Sequence, residues 1–185
     1  ITNSCQKNDD AVVDDEILYR MPEESEPHEG TWLQWPHHYQ YGIDYRNEID
    51  PTWVAMTQAL VSSEKVHIIA YNDVEKNRII QLLTTAGVSL SNVDFKIFPT
   101  DDVWVRDNGP IYVRDKNNQL VIEDWGFNGW GEKADFENCD LIPTQIAQQQ
   151  NRLVVNLNAE MVNEGGAVEI DGNGTLLATK SAILN

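Results

Sequence analysis

The chain has 185 residues, of which 41% are hydrophobic and 23% are charged, values that are ordinary for one globular domain with its own core. Thirteen basic residues stand against 30 acidic ones, and the formal net charge of −17 argues against a nucleic-acid backbone or an anionic membrane surface as a partner. No apolar run is long enough to cross a bilayer.

The start of the chain is polar and acidic, which predicts a flexible acidic tail over residues 1–20 and a folded body over residues 21–185. No signal peptide is visible. Because the sequence begins at Ile1 rather than at Met, we expect that an upstream piece was removed or left out, and it could have carried a targeting segment.

Strands and helices alternate along the body, which predicts the α/β class. A proline at a first helical position, with Asp50 as its cap, predicts that one helix begins at Pro51, and Gly87 is expected to end the next helix. Apolar runs and alternation predict strands over 31–35, 66–70, 93–97, 103–113, 120–125 and 153–157, and helices over 51–61, 73–83 and 143–150. Asp-Gly and Asn-Gly in residues 171–174 predict a closing hairpin between 167–170 and 175–179.

The two cysteines, Cys5 and Cys139, cannot form a disulfide framework, and neither belongs to a CxxC pair. The adjacent His37 and His38 would point in different directions on a strand, so we expect no metal site. Cys139 lies among acidic residues, which should raise the pKa of its thiol and make it a weak nucleophile.

Four segments are unusual for a generic α/β domain. They are residues 27–36 (PHEGTWLQWP), 101–110 (DDVWVRDNGP), 126–131 (GFNGWG) and 163–166 (NEGG), the last followed by 171–175 (DGNGT). Their order and spacing resemble the agmatine deiminase and bacterial (Porphyromonas-type) peptidyl-arginine deiminase family, from about Met21 to Asn185.

This resemblance implies a pseudo-fivefold α/β propeller, the fold of guanidine-modifying enzymes, with its site on the central axis. The chain would supply roughly the amino-terminal half of the ring. It also implies that the nucleophilic cysteine, the catalytic histidine and a second guanidinium-binding aspartate lie beyond Asn185, so this chain alone is expected to be inactive.

The chemistry of the family sets the residue types that such a site needs. A guanidinium is a planar cation, so recognition calls for carboxylates in its plane and an aromatic ring over its face. Hydrolysis calls for a strong nucleophile, which the resemblance identifies as a cysteine thiolate, and for a histidine that acts as general acid and base. The resemblance implies no metal and no other cofactor.

Asp107 matches the family aspartate that binds the guanidinium, and Trp104 matches the aromatic residue that covers it. In a regular strand, positions three apart face opposite sides, so the two can share a pocket only if the strand bends or ends near Arg106. Taken alone, the segment also fits a core tryptophan beside an aspartate that caps a turn. We further expect Arg106 to pair with Asp101 or Asp102.

Glu164 matches a family glutamate that lies in the active site and supports the catalytic histidine; the alternative is an acidic loop residue ahead of a hairpin. Asp107 and Glu164 are therefore the predicted catalytic residues, and Trp104 and Asp107 the predicted substrate-binding ones. Trp130 and Asn128 either line the site or support it, and packing is the preferred interpretation for Trp130.

The leading functional hypothesis is hydrolysis of agmatine to N-carbamoylputrescine and ammonia, in polyamine (putrescine) synthesis. The alternatives are deimination of peptidyl-arginine to citrulline, or a truncated, non-catalytic binding module. The expected partner is a small cationic guanidinium substrate, with no nucleic acid and no membrane, and a homo-oligomer is possible. Location is expected to be cytoplasmic for an agmatine deiminase, whereas an export signal would favour the peptidyl-arginine reaction.

Overall fold

The computed structural model describes residues 19–183. The predicted tail lies outside the described residues except for its last two, Tyr19 and Arg20, which form a strand paired with a later one rather than a tail. Among residues 19–183, no helix is long and apolar enough to cross a membrane.

Strands and short helices alternate, as the sequence predicts. The strands are β1 (Tyr19–Arg20), β2 (Gly30–Gln34), β3 (Lys65–Ala70), β4 (Val93–Ile97), β5 (Ile111–Asp115), β6 (Leu120–Asp124), β7 (Val154–Asn156), β8 (Val168–Ile170) and β9 (Leu176–Ala178). The helices are α1 (His38–Tyr41), α2 (Ile43–Leu60), α3 (Asp73–Thr85), α4 (Val105–Asn108), α5 (Gly129–Glu132), α6 (Ile142–Gln150) and α7 (Lys180–Ile183), with a 3-10 turn at Gly165–Ala167.

The strands form three small sheets. The first is the parallel sheet β2-β3-β4, and the second has the order β1-β5-β6-β7, with β5 and β6 antiparallel and β6 and β7 parallel. The third is the hairpin β8-β9, which confirms the turn prediction from Asp-Gly and Asn-Gly. The predicted strands β2, β3, β4, β6 and β7 are also confirmed, to within one or two residues at their ends.

Burial of apolar side chains holds the sheets and helices together. One cluster packs β3 against α2 and α3 around Ile68, Ile79 and Leu83. A second joins the first two sheets through α6, with Ile122 and Ile146 fully buried. The third lies beneath β5 and β6. Burial of this apolar surface is what fixes the two larger sheets against their helices.

Two predictions about elements are wrong. The predicted strand over 103–113 is a helical turn, α4, followed by β5, because Asp107 and Asn108 donate backbone hydrogen bonds to the Trp104 carbonyl. The helix predicted to start at Pro51 starts at Ile43, and Pro51 lies inside it. The Asp50 carboxylate is buried, accepting from the Trp35 indole at 2.7 Å and from Arg78 at 2.5 Å, so these contacts hold α2 in place at its proline.

Candidate active site

The predicted guanidinium-binding pair lies at the helical turn α4, with Trp104 as the residue before it and Asp107 within it. Residues three apart on a helix are neighbours on one face, whereas on a strand they are not. The chain is helical rather than extended at Arg106, which is the bend that a shared pocket for Trp104 and Asp107 requires. The side chain of Trp104 is 56% exposed, and that of Asp107 is half-buried, so both are open to a ligand.

The Asp107 carboxylate has a specific partner that sequence reasoning missed. The indole N–H of Trp130 donates a hydrogen bond to Asp107 Oδ2 at 3.2 Å. Trp130 is half-buried, and its ring forms a T-shaped pair with the ring of Phe127 at a centroid distance of 5.1 Å. The preferred interpretation of Trp130 as a packing residue is thus incomplete, since its polar atom holds a predicted catalytic carboxylate.

Asn128 shapes the turn that presents Trp130. Its Oδ1 atom accepts the Gly131 backbone N–H at 2.8 Å. Within α5, Trp130 adopts φ 59° and ψ 42°, a left-handed conformation that non-glycine residues adopt only when surrounding contacts enforce it. Asn128 therefore fixes the turn that carries Trp130.

The Glu164 segment packs directly on the same turn. A Cβ atom on Gly166 would overlap the Asp107 Oδ1 atom, and one on Gly165 would lie 2.6 Å from the Arg106 carbonyl oxygen. Only glycines allow this approach. The Glu164 carboxylate is half-buried and has no hydrogen-bond partner among residues 19–183, so it remains available to a group outside them.

The predicted ion pair of Arg106 is wrong. Its guanidinium contacts Glu24 rather than Asp101 or Asp102, and both side chains of the pair are largely exposed. Asp101 instead points to the backbone of residues 138–139, and Asp102 accepts a hydrogen bond from the Tyr41 hydroxyl.

Cys139 has the wrong chemistry for a nucleophile. Its side chain is fully buried, and burial raises the pKa of the thiol to about 11, with a smaller contribution from the charges of Asp101 and Asp102. The prediction of a raised pKa agrees with this direction, although burial rather than charge is the main cause. Cys5 lies outside the described residues. Among the described residues, no group of three or more His, Cys, Asp or Glu side chains could hold a metal ion.

One cavity lies next to this turn. It has a volume of about 730 Å³ and is bordered by Val105 and Arg106, but not by Trp104, Asp107 or Glu164. The predicted site is instead an open face formed by α4, α5 and the 3-10 turn. The lining of the cavity also contains carboxylates and aromatic rings, such as Glu29 and Trp32, but the open face carries Trp104 and Asp107, which match the motif of the family.

Comparison with known proteins identifies the family of the chain. A family model described as Porphyromonas-type peptidyl-arginine deiminase matches residues 20–185. The chain belongs to this family. An agmatine deiminase of Pseudomonas aeruginosa (strain LESB58) is 33% identical over 177 residues, which cover 90% of this chain and 45% of that protein.

Solved structures carry the same fold. An agmatine deiminase of C. jejuni with substrate bound matches with a TM-score of 0.76 and 23% identity, covering 87% of this chain and 45% of that one. An agmatine deiminase of Enterococcus faecalis matches with a TM-score of 0.78 and 23% identity, covering 90% and 45%. This member of the deiminase family thus has part of an α/β propeller fold and spans under half the length of these relatives.

Proposed function

We propose that the chain is the first half of a hydrolase that acts on the C–N bond of a guanidinium group, with agmatine as the substrate and N-carbamoylputrescine and ammonia as the products. The observation that carries this proposal is the turn that places Trp104 at the start of α4 and Asp107 within it, with the two glycines after Glu164 packed against that turn. The name of the 33% identical Pseudomonas relative supports agmatine as the substrate. The reaction would then serve polyamine synthesis.

Each residue has a role that its chemistry suits. The Asp107 carboxylate would accept paired N–H bonds in the plane of the guanidinium, while the Trp104 ring would cover its face. Trp130 would hold Asp107 in the required orientation through the 3.2 Å hydrogen bond. Glu164 would hold a histidine, because a carboxylate beside an imidazole orients the ring and favours its protonated form.

The nucleophile and that histidine are proposed to lie in a second half of the enzyme. Cys139 is buried and its thiol is neutral at physiological pH, which suits packing rather than attack. The four histidines of the chain lie in residues 28–67, on or near the first sheet. The match covers 45% of the Pseudomonas relative, so more than half of that protein remains for a second part.

A second candidate substrate follows from the family description, which names peptidyl-arginine. Both substrates present the same guanidinium, so the Asp107 and Trp104 contacts would be shared, and the substrate tail would decide between them. Ammonia release from agmatine, compared with release from an arginine residue inside a blocked peptide, separates the two. The third hypothesis, a non-catalytic binding module, predicts no release from either.

The experiment that tests the proposal replaces Asp107 with Asn in the full-length enzyme. The substitution keeps the shape but removes the in-plane charge, so kcat/KM should fall roughly a hundred- to a thousandfold, as for loss of one preorganised electrostatic group. KM should rise as well, because the contact exists in the ground state. Thermal stability should change little, since an Asn oxygen can still accept the Trp130 N–H.

Asp135→Asn is the matched control, because Asp135 is an exposed aspartate on the loop that also carries Trp130. It should leave kcat/KM within about twofold, as is usual for a surface substitution. Activity of Asp107→Asn within a few-fold of wild type, together with a collapse of stability, would make Asp107 a structural turn residue. Steady ammonia release by the 185-residue chain alone that survives Cys139→Ser would contradict the proposed second half.

A further inference from the structure

Two segments of the proposed site contact each other at two places. We define the site segment as residues 100–108, which carries Trp104 and Asp107, and the bracing loop as residues 126–141, which carries Trp130. The bracing loop contacts the site segment at Asp107, through the Trp130 indole, and again at Asp101, six residues earlier. The site segment is therefore held at two points by a single loop.

Asp101 makes the denser of these two connections. Its Oδ2 atom accepts the backbone N–H groups of Asn138 at 2.7 Å and Cys139 at 3.2 Å, and its Oδ1 atom accepts the Asn138 side-chain amide at 2.6 Å. Its own backbone N–H donates to Cys139 Sγ at 3.3 Å. The side chain is 9% exposed, so these contacts form away from water, where hydrogen bonds to a charged acceptor are strongest.

The residues next to Asp101 extend this connection toward Trp104. The Thr100 carbonyl accepts the His37 Nε2–H at 2.8 Å, and the Asp102 carbonyl accepts the Gln34 side-chain amide at 2.8 Å. The Asp102 carboxylate accepts the Val103 backbone N–H at 2.7 Å. Positions 100–103 are thus fixed before the chain reaches Trp104, and α4 begins from a defined point.

We propose that Asp101 is a positioning residue that sets the spacing between the site segment and the bracing loop, and so places Trp104 and the Trp130-bound Asp107 for a guanidinium. This inference rests on the proposed function for its effect on catalysis, but the structural coupling from Asp101 to Trp130 stands apart from any activity. Asp101 touches no substrate in this role. It acts through Asn138, Cys139 and the loop that they belong to.

The chain offers a matched control at Asp50. Asp50 is another buried aspartate, 4% exposed, and it accepts the indole N–H of Trp35 at 2.7 Å and a guanidinium N–H of Arg78 at 2.5 Å. It lies in α2, outside both the site segment and the bracing loop. Asp50→Asn and Asp101→Asn therefore make the same chemical change at two buried carboxylates, only one of which reaches the site.

The first measurement is hydrogen exchange of the tryptophan indole N–H groups by NMR in the 185-residue chain, with Trp130 assigned from Trp130→Phe. Asp101→Asn should speed exchange at the Trp130 indole about tenfold or more, because the loop opens locally, and should leave the Trp35 indole unchanged. Asp50→Asn should give the reverse pattern. If Asp101→Asn fails to fold, Asn138→Ala, which removes one of the hydrogen bonds to Asp101, should give a smaller change in the same direction.

The second measurement is steady-state kinetics in the full-length enzyme. Asp101→Asn should lower kcat/KM by about ten- to a hundredfold, with higher KM and lower kcat, because a shift of about 1 Å in the binding groups can cost about a hundredfold. Asp50→Asn should stay within about twofold at a temperature where both variants are folded. Equal losses in the two variants would mean that Asp101 matters only for stability, and would overturn the proposal.

Different results would contradict the proposed function and the positioning role of Asp101. A wild-type enzyme with no activity toward any guanidinium would contradict the proposed function, while the exchange pattern would still decide whether Asp101 controls Trp130. An unchanged Trp130 indole in Asp101→Asn would overturn the positioning role whatever the activity. A changed indole with unchanged kcat/KM in an active enzyme would overturn it too.

Discussion

Asp107 illustrates how one side chain depends on neighbours that are distant in sequence. Trp130 holds one carboxylate oxygen, and Gly166 lies against the other. Neither contact follows from local periodicity, because the partners are 23 and 59 residues away in sequence. The orientation of the proposed guanidinium-binding group is therefore a tertiary property.

Replacing Gly166 with Ala should lower activity, because it displaces the Asp107 carboxylate. The added Cβ overlaps Asp107 Oδ1, so the carboxylate must shift from its position, and kcat/KM should fall about a hundredfold. The free energy of unfolding should drop by about 1 kcal/mol at most, because Gly166 is exposed and only the hydrogen bond between Trp130 and Asp107 is at stake. Steady-state kinetics and urea unfolding of the same preparations measure the two effects.

Gly87→Ala is the control for that variant. Gly87 has φ 74° and open space around its Cα, so alanine adds backbone strain of about 1–2 kcal/mol without touching the site. Its kcat/KM should stay near wild type. A similar loss of activity in both variants would show that the glycine at 166 serves general stability rather than the placement of Asp107.

At the scale of elements, one buried carboxylate joins three helices. Glu75, at the start of α3, is 2% exposed and accepts from His38 in α1 at 2.8 Å, from Arg46 in α2 at 3.0 Å and from Arg78 at 2.6 Å. Burial alone would raise the pKa of Glu75, but the hydrogen bonds from Arg78 and His38 and the charges of Arg78 and Arg46 lower it overall.

Glu75→Gln should destabilise the fold by about 3 kcal/mol, because it removes the buried charge that Arg46 and Arg78 share, and only Arg78 keeps another buried carboxylate, that of Asp50. In the wild type, a lowered folded pKa means that the contribution of Glu75 is fully present above its unfolded pKa and is lost as the pH falls through the folded value. The free energy of unfolding, measured with urea between about pH 7 and pH 3, should therefore fall more steeply for wild type than for Glu75→Gln. Glu48→Gln, an exposed change on α2, should match wild type at every pH.

At the scale of the whole molecule, the small sheets leave strand edges open. Strand β9 pairs only with β8 among the described residues, and its Leu176 and Leu177 are 56% and 68% exposed. An exposed apolar edge strand favours pairing with another chain. In the 185-residue chain, we therefore expect concentration-dependent association through β9.

Leu177→Lys should weaken this association about tenfold or more, since a charge on an edge strand opposes pairing. The hairpin itself should survive, because residue 177 lies opposite Glu169 and a Lys there gains an opposite charge across the strands. Sedimentation over a concentration series measures the strength of the association. Val74→Lys, at a 71% exposed position on α3, is the control; equal effects of the two variants, or a monomeric wild type at all concentrations, would contradict a specific role of β9.

The sequence by itself determined the elements whose signals are local. The β-branched run of β3 predicts a buried strand, Asn72 caps α3 by accepting the Glu75 N–H at 2.9 Å as a capping residue should, and the Asp-Gly and Asn-Gly turn gives the last hairpin. The four unusual segments were enough to predict the family, because residue type and spacing carry that information without any geometry.

Only the tertiary structure decided how the site is assembled. Alternating apolar residues in 103–105 and 111–113 give one period-2 signal, so the sequence predicts a single continuous strand. In the structure, hydrogen bonds to the Trp104 carbonyl make the segment between them a helical turn. The pairing of Trp130 with Asp107 and the anchoring of Asp101 on residues 138–139 join positions 23 and 37 residues apart. Such contacts form because folding buries these polar groups together, where each must find a partner, and no local pattern records which partner that is.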